Sequence, residues 1–119
     1  LGMRFVVTRG LEGCLFVYSS DEWNRLVDKL KKLPFTKKDA RAFLRFFLSG
    51  ATECTFDKQG RIALPVPLVN YAKLKKECVI IGVNDRLEIW AEDSFNEFFS
   101  ENEGNISDLA EDLFDNMED

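Results

Sequence analysis

The sequence predicts a β-rich α+β fold built from two tandem copies of one hairpin–helix unit. Strand-like apolar runs joined by short polar turns recur near both ends of the chain. Each pair of runs leads into a stretch with apolar residues at helical spacing. The two stretches also match in order, at an offset of 73 for Leu1 and Leu74 and of 72 for Asp21 and Asp93. One small gap in the hairpin turn accounts for the change of offset.

Residues 4–9 and 14–18, with Gly10 and Gly13 between them, predict the first hairpin. Ser19 followed by Glu22 is a capping box, and Trp23, Leu26, Val27 and Leu30 give the helix behind it an apolar stripe. Pro34 stops that helix. Thr36 is the expected cap of a second helix with Ala40, Phe43, Leu44, Phe47 and Leu48 on its apolar side and Gly50 at its end. Strands are expected at 52–57 and 61–64, and a short helical turn from Pro67 to Tyr71. The second hairpin, 77–83 and 86–90, turns at Asn84-Asp85 and precedes a helix near 92–102.

These elements organise the chain into a first repeat at 1–33, a linking helix at 34–50, a second repeat at 51–100 and an acidic tail at 101–119. Trp23 and Trp90 are expected core anchors, and Phe43, Phe46, Phe47 and Leu48 are expected to pack between repeats or subunits. Eleven phenylalanines are much apolar surface for 119 residues, so part of it is expected at subunit interfaces. The second hairpin follows a polar arm, whereas only Leu1-Gly2-Met3 precede the first. The expectation is that about 25 residues with a first copy of the arm are missing ahead of Leu1.

Composition narrows the function. The chain has 119 residues, which suits one domain with one modest core. It has no run of 18 apolar residues and no signal-peptide pattern at its start, so a cytoplasmic protein that does not span a membrane is expected. Cys14, Cys54 and Cys78 are odd in number and lack a C-x-x-C pair, which supports neither disulfides nor a zinc site. Buried free thiols are expected instead. With no histidine, no G-x-S-x-G, no P-loop and scattered carboxylates, no enzymatic activity, cofactor, metal or small-molecule substrate is expected.

The net charge of −5 hides an asymmetry. Residues 101–119 hold eight acidic residues and no basic one, so the 16 basic and 13 acidic residues of 1–100 leave that part at +3. Residues 36–76 hold nine basic residues against Asp39, Glu53 and Asp57, a net of +6. Lys37, Lys38, Arg41 and Arg45 of that segment fall on the polar side of the linking helix and read as a solvated face. The tail, with Ile106, Leu109, Leu113 and Phe114 among its carboxylates, has three readings. It is an amphipathic helix packed on a neighbour, a mimic of DNA charge over the basic arm, or a disordered segment.

The most specific local feature is the turn Phe56-Asp57-Lys58-Gln59-Gly60-Arg61-Ile62. Gly60 lets the backbone reach positive φ, Asp57 can fold its carboxylate onto the turn's amides, and Arg61 projects a planar donor fork. By spacing alone the segment is also an ordinary hairpin.

Together with the Leu64-Pro65 segment, the Glu88-Ile89-Trp90 strand and the Val7-Thr8-Arg9-Gly10, Gly13-Cys14-Leu15, Tyr18 and Glu22-Trp23 series, this turn resembles the MraZ family. The likeness covers residues 4–99, and the family's Asp-x-x-Gly-Arg loop is met by Asp57, Gly60 and Arg61. The resemblance implies a swapped-hairpin β-barrel made of two tandem AbrB-like repeats with flanking helices. It also implies ring-like homo-oligomers, nucleoid association and binding of double-stranded promoter DNA at direct repeats, usually upstream of the member's own division and cell-wall operon. The chain departs from the family pattern in lacking the first arm and in having Val69 where a basic residue is expected. Arg61 is the expected base-reading residue, Lys58 a phosphate contact, Asp57 the residue that shapes the turn and orients Arg61, and Gly60 the source of its backbone geometry. The alternative is an AbrB-like, antitoxin-type protein-interaction module that reads no operator.

Overall fold

A computed structural model of the chain describes residues 4–117. Five antiparallel strands form one open sheet: β1 (Arg4–Arg9), β2 (Leu15–Ser19), β3 (Thr52–Thr55), β4 (Cys78–Val83) and β5 (Arg86–Ala91), in the order β3-β1-β2-β5-β4. Five α-helices accompany them: α1 (Ser20–Leu30), α2 (Lys38–Ser49), α3 (Val66–Tyr71), α4 (Glu92–Asn102) and α5 (Ile106–Met117).

The two hairpin–helix units are superimposable in register. β1 pairs with β2 so that Arg9 faces Leu15, and β4 pairs with β5 so that Val83 faces Arg86. Those pairings place the first strands 73 residues apart when the second strands are 72 apart, as the sequence offsets require. The gap is one residue in the turn. The first hairpin turns through Leu11, Glu12 and Gly13, with Glu12 and Gly13 at positive φ, and the second through Asn84 and Asp85, with Asn84 at φ 52°. α1 and α4 then begin and end at positions 72 apart. Half of the expected capping box forms on α1: Glu22 N–H donates to Ser19 Oγ at 3.2 Å, but the Glu22 carboxylate turns to Arg25 at 2.9 Å instead of reaching back to the Ser19 amide.

Alternation along the strands gives the sheet two apolar faces. On one, Cys14, Phe16, Tyr18 and Trp90 pack with Phe47 of α2 and with Trp23, Leu26, Phe95 and Phe98 of α1 and α4. Buried Thr8 Oγ1 donates to Phe47 O at 2.6 Å, and Arg9 Nη1 donates to Phe46 O at 2.7 Å, so β1 holds the end of α2. On the other face Phe5, Val7, Leu15, Val17, Cys54 and Ile89 pack with Leu68 and Ala72, and with Ile62, Leu64, Tyr71 and Leu74. β3, which opens the second repeat, pairs with β1 of the first, Cys54 opposite Phe5.

Three expectations need correction. Residues 61–64 form no strand. They run extended with one local backbone bond, Asp57 N–H to Arg61 O at 2.7 Å, and are held by packing of Ile62 and Leu64 on the core. Thr36 does not cap α2: Lys37 N–H donates to Pro34 O at 3.0 Å, this turn takes up Thr36, and the helix starts one residue later with Lys37 at its N-cap. Gly50 ends α2 as expected, though at φ −90° and not in the left-handed region. A Cβ there would lie 2.9 Å from the Arg9 guanidinium, and the need is space. Finally, Cys14 and Cys54 are buried, but Cys78 is exposed on the edge strand β4.

Candidate nucleic-acid interface

The arm between β3 and α3 is built from both ends inward. Phe56 packs its ring on Phe5 at 5.1 Å, and Ile62 and Leu64 enter the core, so the polar stretch 57–61 projects from an anchored base. Within it Asp57 is the organiser. Its Oδ1 accepts from Gln59 N–H at 2.9 Å and Arg61 N–H at 2.8 Å, and its backbone carbonyl accepts from Gly60 N–H at 3.0 Å. Gly60 sits at φ +78°, where a side chain is strained even though the space around it is open.

The same carboxylate orients the cation. Asp57 Oδ2 accepts from Arg61 Nε at 3.2 Å, and Gln59 Oε1 accepts from Arg61 Nη2 at 2.6 Å. Both bonds lie in water, with the Arg61 side chain 71% exposed. Nη1 makes no protein hydrogen bond among the described residues. The backbone amide of Arg61 above all, then that of Gln59 and the Arg61 side chain, hold the Asp57 carboxyl below its usual value of 3.8. Lys58 is exposed at the tip of the turn.

The structure thus brings Asp57, Lys58, Gly60 and Arg61 into one turn. Gln59 is the member that sequence reasoning passed over; its place two residues before the arginine, in a turn, was the available signal. The +6 segment does not form one patch. Lys38, Arg41 and Arg45 ride on α2, over the Phe47 face of the sheet, while Lys58 and Arg61 belong to the arm packed on the Leu68 face. Lys75 pairs with Asp93 at 3.5 Å. No histidine, cysteine or carboxylate cluster suited to a metal occurs among the described residues. No described helix is long and apolar enough to cross a membrane.

A family model described as "MraZ protein, putative antitoxin-like" matches the chain twice, at residues 1–46 and 47–117. The chain belongs to the MraZ family. The two MraZ matches divide it between the hairpin–helix units described above. Among curated MraZ proteins, the Transcriptional regulator MraZ of Ligilactobacillus salivarius (strain UCC118) is 58% identical over 115 residues, covering 97% of this chain and 80% of that relative.

Proposed function

We propose that the chain is a sequence-specific DNA-binding transcriptional regulator that reads promoter DNA with the Asp57–Arg61 arm. The observation that carries this is the preorganised arginine. Asp57 fixes both the backbone of the turn and Nε of Arg61, which leaves the outer edge of the guanidinium to meet a base. Arginine is the commonest reader of guanine, through O6 and N7 in the major groove. To use both terminal nitrogens, Nη2 exchanges its water-exposed bond to Gln59 for the base, an exchange of small net cost. Lys58 meets phosphate. Asp57 itself stays off the DNA, where its charge is repelled.

One arm with two cations binds weakly. Each neutralised phosphate adds about −0.9 to the log–log salt slope, so a few contacts per chain require repetition. Several copies in a ring, each engaging one of a series of direct repeats, gain avidity of ~10²–10⁴ over a single arm. Closure of the second repeat into a swapped-hairpin barrel, a target in the promoter of the chain's own division and cell-wall operon, and a cytoplasmic, nucleoid-associated location belong to this reading. The name of the 58% identical relative supports the regulatory role.

The test compares wild type and Arg61→Ala on the chain's own promoter and on a scrambled fragment at two salt concentrations. Promoter preference that Arg61→Ala abolishes supports the arm as reader. Equal binding of both fragments by wild type, or an unchanged preference in the variant, overturns it. The family description's word "antitoxin-like" keeps a second reading, a protein-interaction module. A stoichiometric protein partner with no retention on DNA distinguishes that module.

A further inference from the structure

α5 is an amphipathic helix whose apolar side is left exposed by the described residues. Ile106, Leu109, Leu113 and Met117 recur at helical spacing with Phe114 beside them, and all five are exposed. The rest of its surface carries Asp108, Glu111, Asp112 and Asp115 and no basic residue. A helix of 12 residues without opposite-charge pairs is marginal in water, so it needs a surface.

Its own repeat does not supply one. In the first repeat, seven residues (31–37) separate α1 from α2, and α2 folds back to pack Phe43 and Phe47 beside Trp23. In the second, a 3₁₀ turn of three residues, Glu103–Asn105, separates α4 from α5, and α5 projects away with that turn as its main neighbour.

The complementary surface lies at the other end of the chain. Residues 29–45 carry seven basic residues against Asp39 alone. Lys38, Arg41 and Arg45 share one face of α2 with the exposed Leu48. Next to them the α1–α2 linker exposes Leu33 and Phe35, the latter at 75%, with its backbone pinned by Arg41 Nη1 donating to Phe35 O at 2.9 Å. Apolar residues framed by cations face the same need as apolar residues framed by carboxylates.

We infer that α5 docks on the α1–α2 linker and outer face of α2 of a second copy of this chain. The Leu113/Phe114 stripe covers Leu33, Phe35 and Leu48, and the acidic flanks meet Lys38 and Arg45. The contact is head-to-tail, second repeat to first, so it propagates from copy to copy and closes only as a ring. It deepens the oligomeric part of the function proposed above. It does not depend on how DNA is read.

The experiment measures the solution mass of the whole chain without DNA, against concentration and salt. Wild type is expected to assemble beyond its 13.7 kDa monomer and to weaken as salt rises. Leu113→Asp with Phe114→Asp changes only exposed side chains and is expected to stay folded by circular dichroism and weaken assembly at least ~10-fold. Lys38→Glu with Arg45→Glu is expected to weaken it by about the same factor, and adding Asp108→Lys with Asp112→Lys to restore it. A monomeric wild type, unchanged assembly in the α5 variant, or no restoration by the charge exchange overturns the inference. So does an α5 variant of unchanged mass that binds DNA more tightly, which places the helix over its own arm. The Arg61→Ala comparison reads DNA preference alone, so failure of either proposal is recognised separately.

Discussion

Phe16 and Glu88 face each other across the β2–β5 ladder, and they are the same position of the two repeats, 72 residues apart. Their neighbours cross in the same sense: Leu15 faces Ile89 and Val17 faces Leu87. The centre of the sheet is therefore a local twofold between the repeats, and the pair on it is unlike. Arg86 reconciles the two, stacking its guanidinium 4.2 Å from the centroid of Phe16 and donating from Nη2 to Glu88 Oε2 at 3.3 Å. Trp90 Nε1 donates to Glu88 Oε1 at 3.0 Å.

That clip makes Glu88 a sensitive position. Glu88→Ala strands the buried Trp90 indole N–H and deprives Arg86, whose Nε already lacks a partner, of its remaining buried anion. The expected cost is about 2–3 kcal/mol in urea unfolding, with Arg86 partly in water and the pair discounted accordingly. Glu88→Gln is expected to cost less, since the amide oxygen still accepts from the indole.

Equivalent positions of the repeats differ in burial, and stability should follow. Val7 and Ile80 correspond, as do Leu15 and Leu87, yet Val7 and Leu15 are fully buried while Ile80 and Leu87 are 62% and 46% exposed. α3 and residues 62–64 cover the first pair. Leu15→Ala is expected to destabilise the chain by about 2–4 kcal/mol and Leu87→Ala by less than about 1 kcal/mol. Equal losses in chemical unfolding would mean that something covers β4 and β5 in solution.

Acid should loosen the arm before the core. The folded-state pKa of Asp57 is lowered, so its bonds contribute fully above the usual 3.8 and are lost as pH falls through the lower folded value. NMR titration is expected to show the Gln59 and Arg61 amides shifting together with the Asp57 carboxyl, at a pH below 3.8. Asp57→Asn should abolish that shared transition and weaken promoter preference without altering the core.

The thiols should react in a fixed order. Cys14 is buried, its Sγ donates to Leu11 O at 3.3 Å, and burial foremost, with the Glu88 charge, pushes its pKa up to about 12. Burial also raises that of Cys54. Exposed Cys78 is expected to be alkylated first at neutral pH, and Cys14 only on unfolding, as read by mass spectrometry of the labelled peptides.

The pieces that repeat were readable from the chain alone. Alternating runs, the Ser19 cap and the offsets of 73 and 72 located both hairpins and their helices, because local periodicity and turn chemistry act over a few residues. The Asp57–Arg61 turn was readable for the same reason, its bonds spanning at most four residues. Tertiary structure decided what depends on partners distant in sequence. Residues 61–64 have strand composition but no adjacent strand to pair with, so packing rather than hydrogen bonding holds them extended. The basic middle reads as one segment, yet the sheet passes between its two halves. Whether Val7 or its counterpart Ile80 is buried follows from which repeat α3 lies against, a packing contact and not a local pattern.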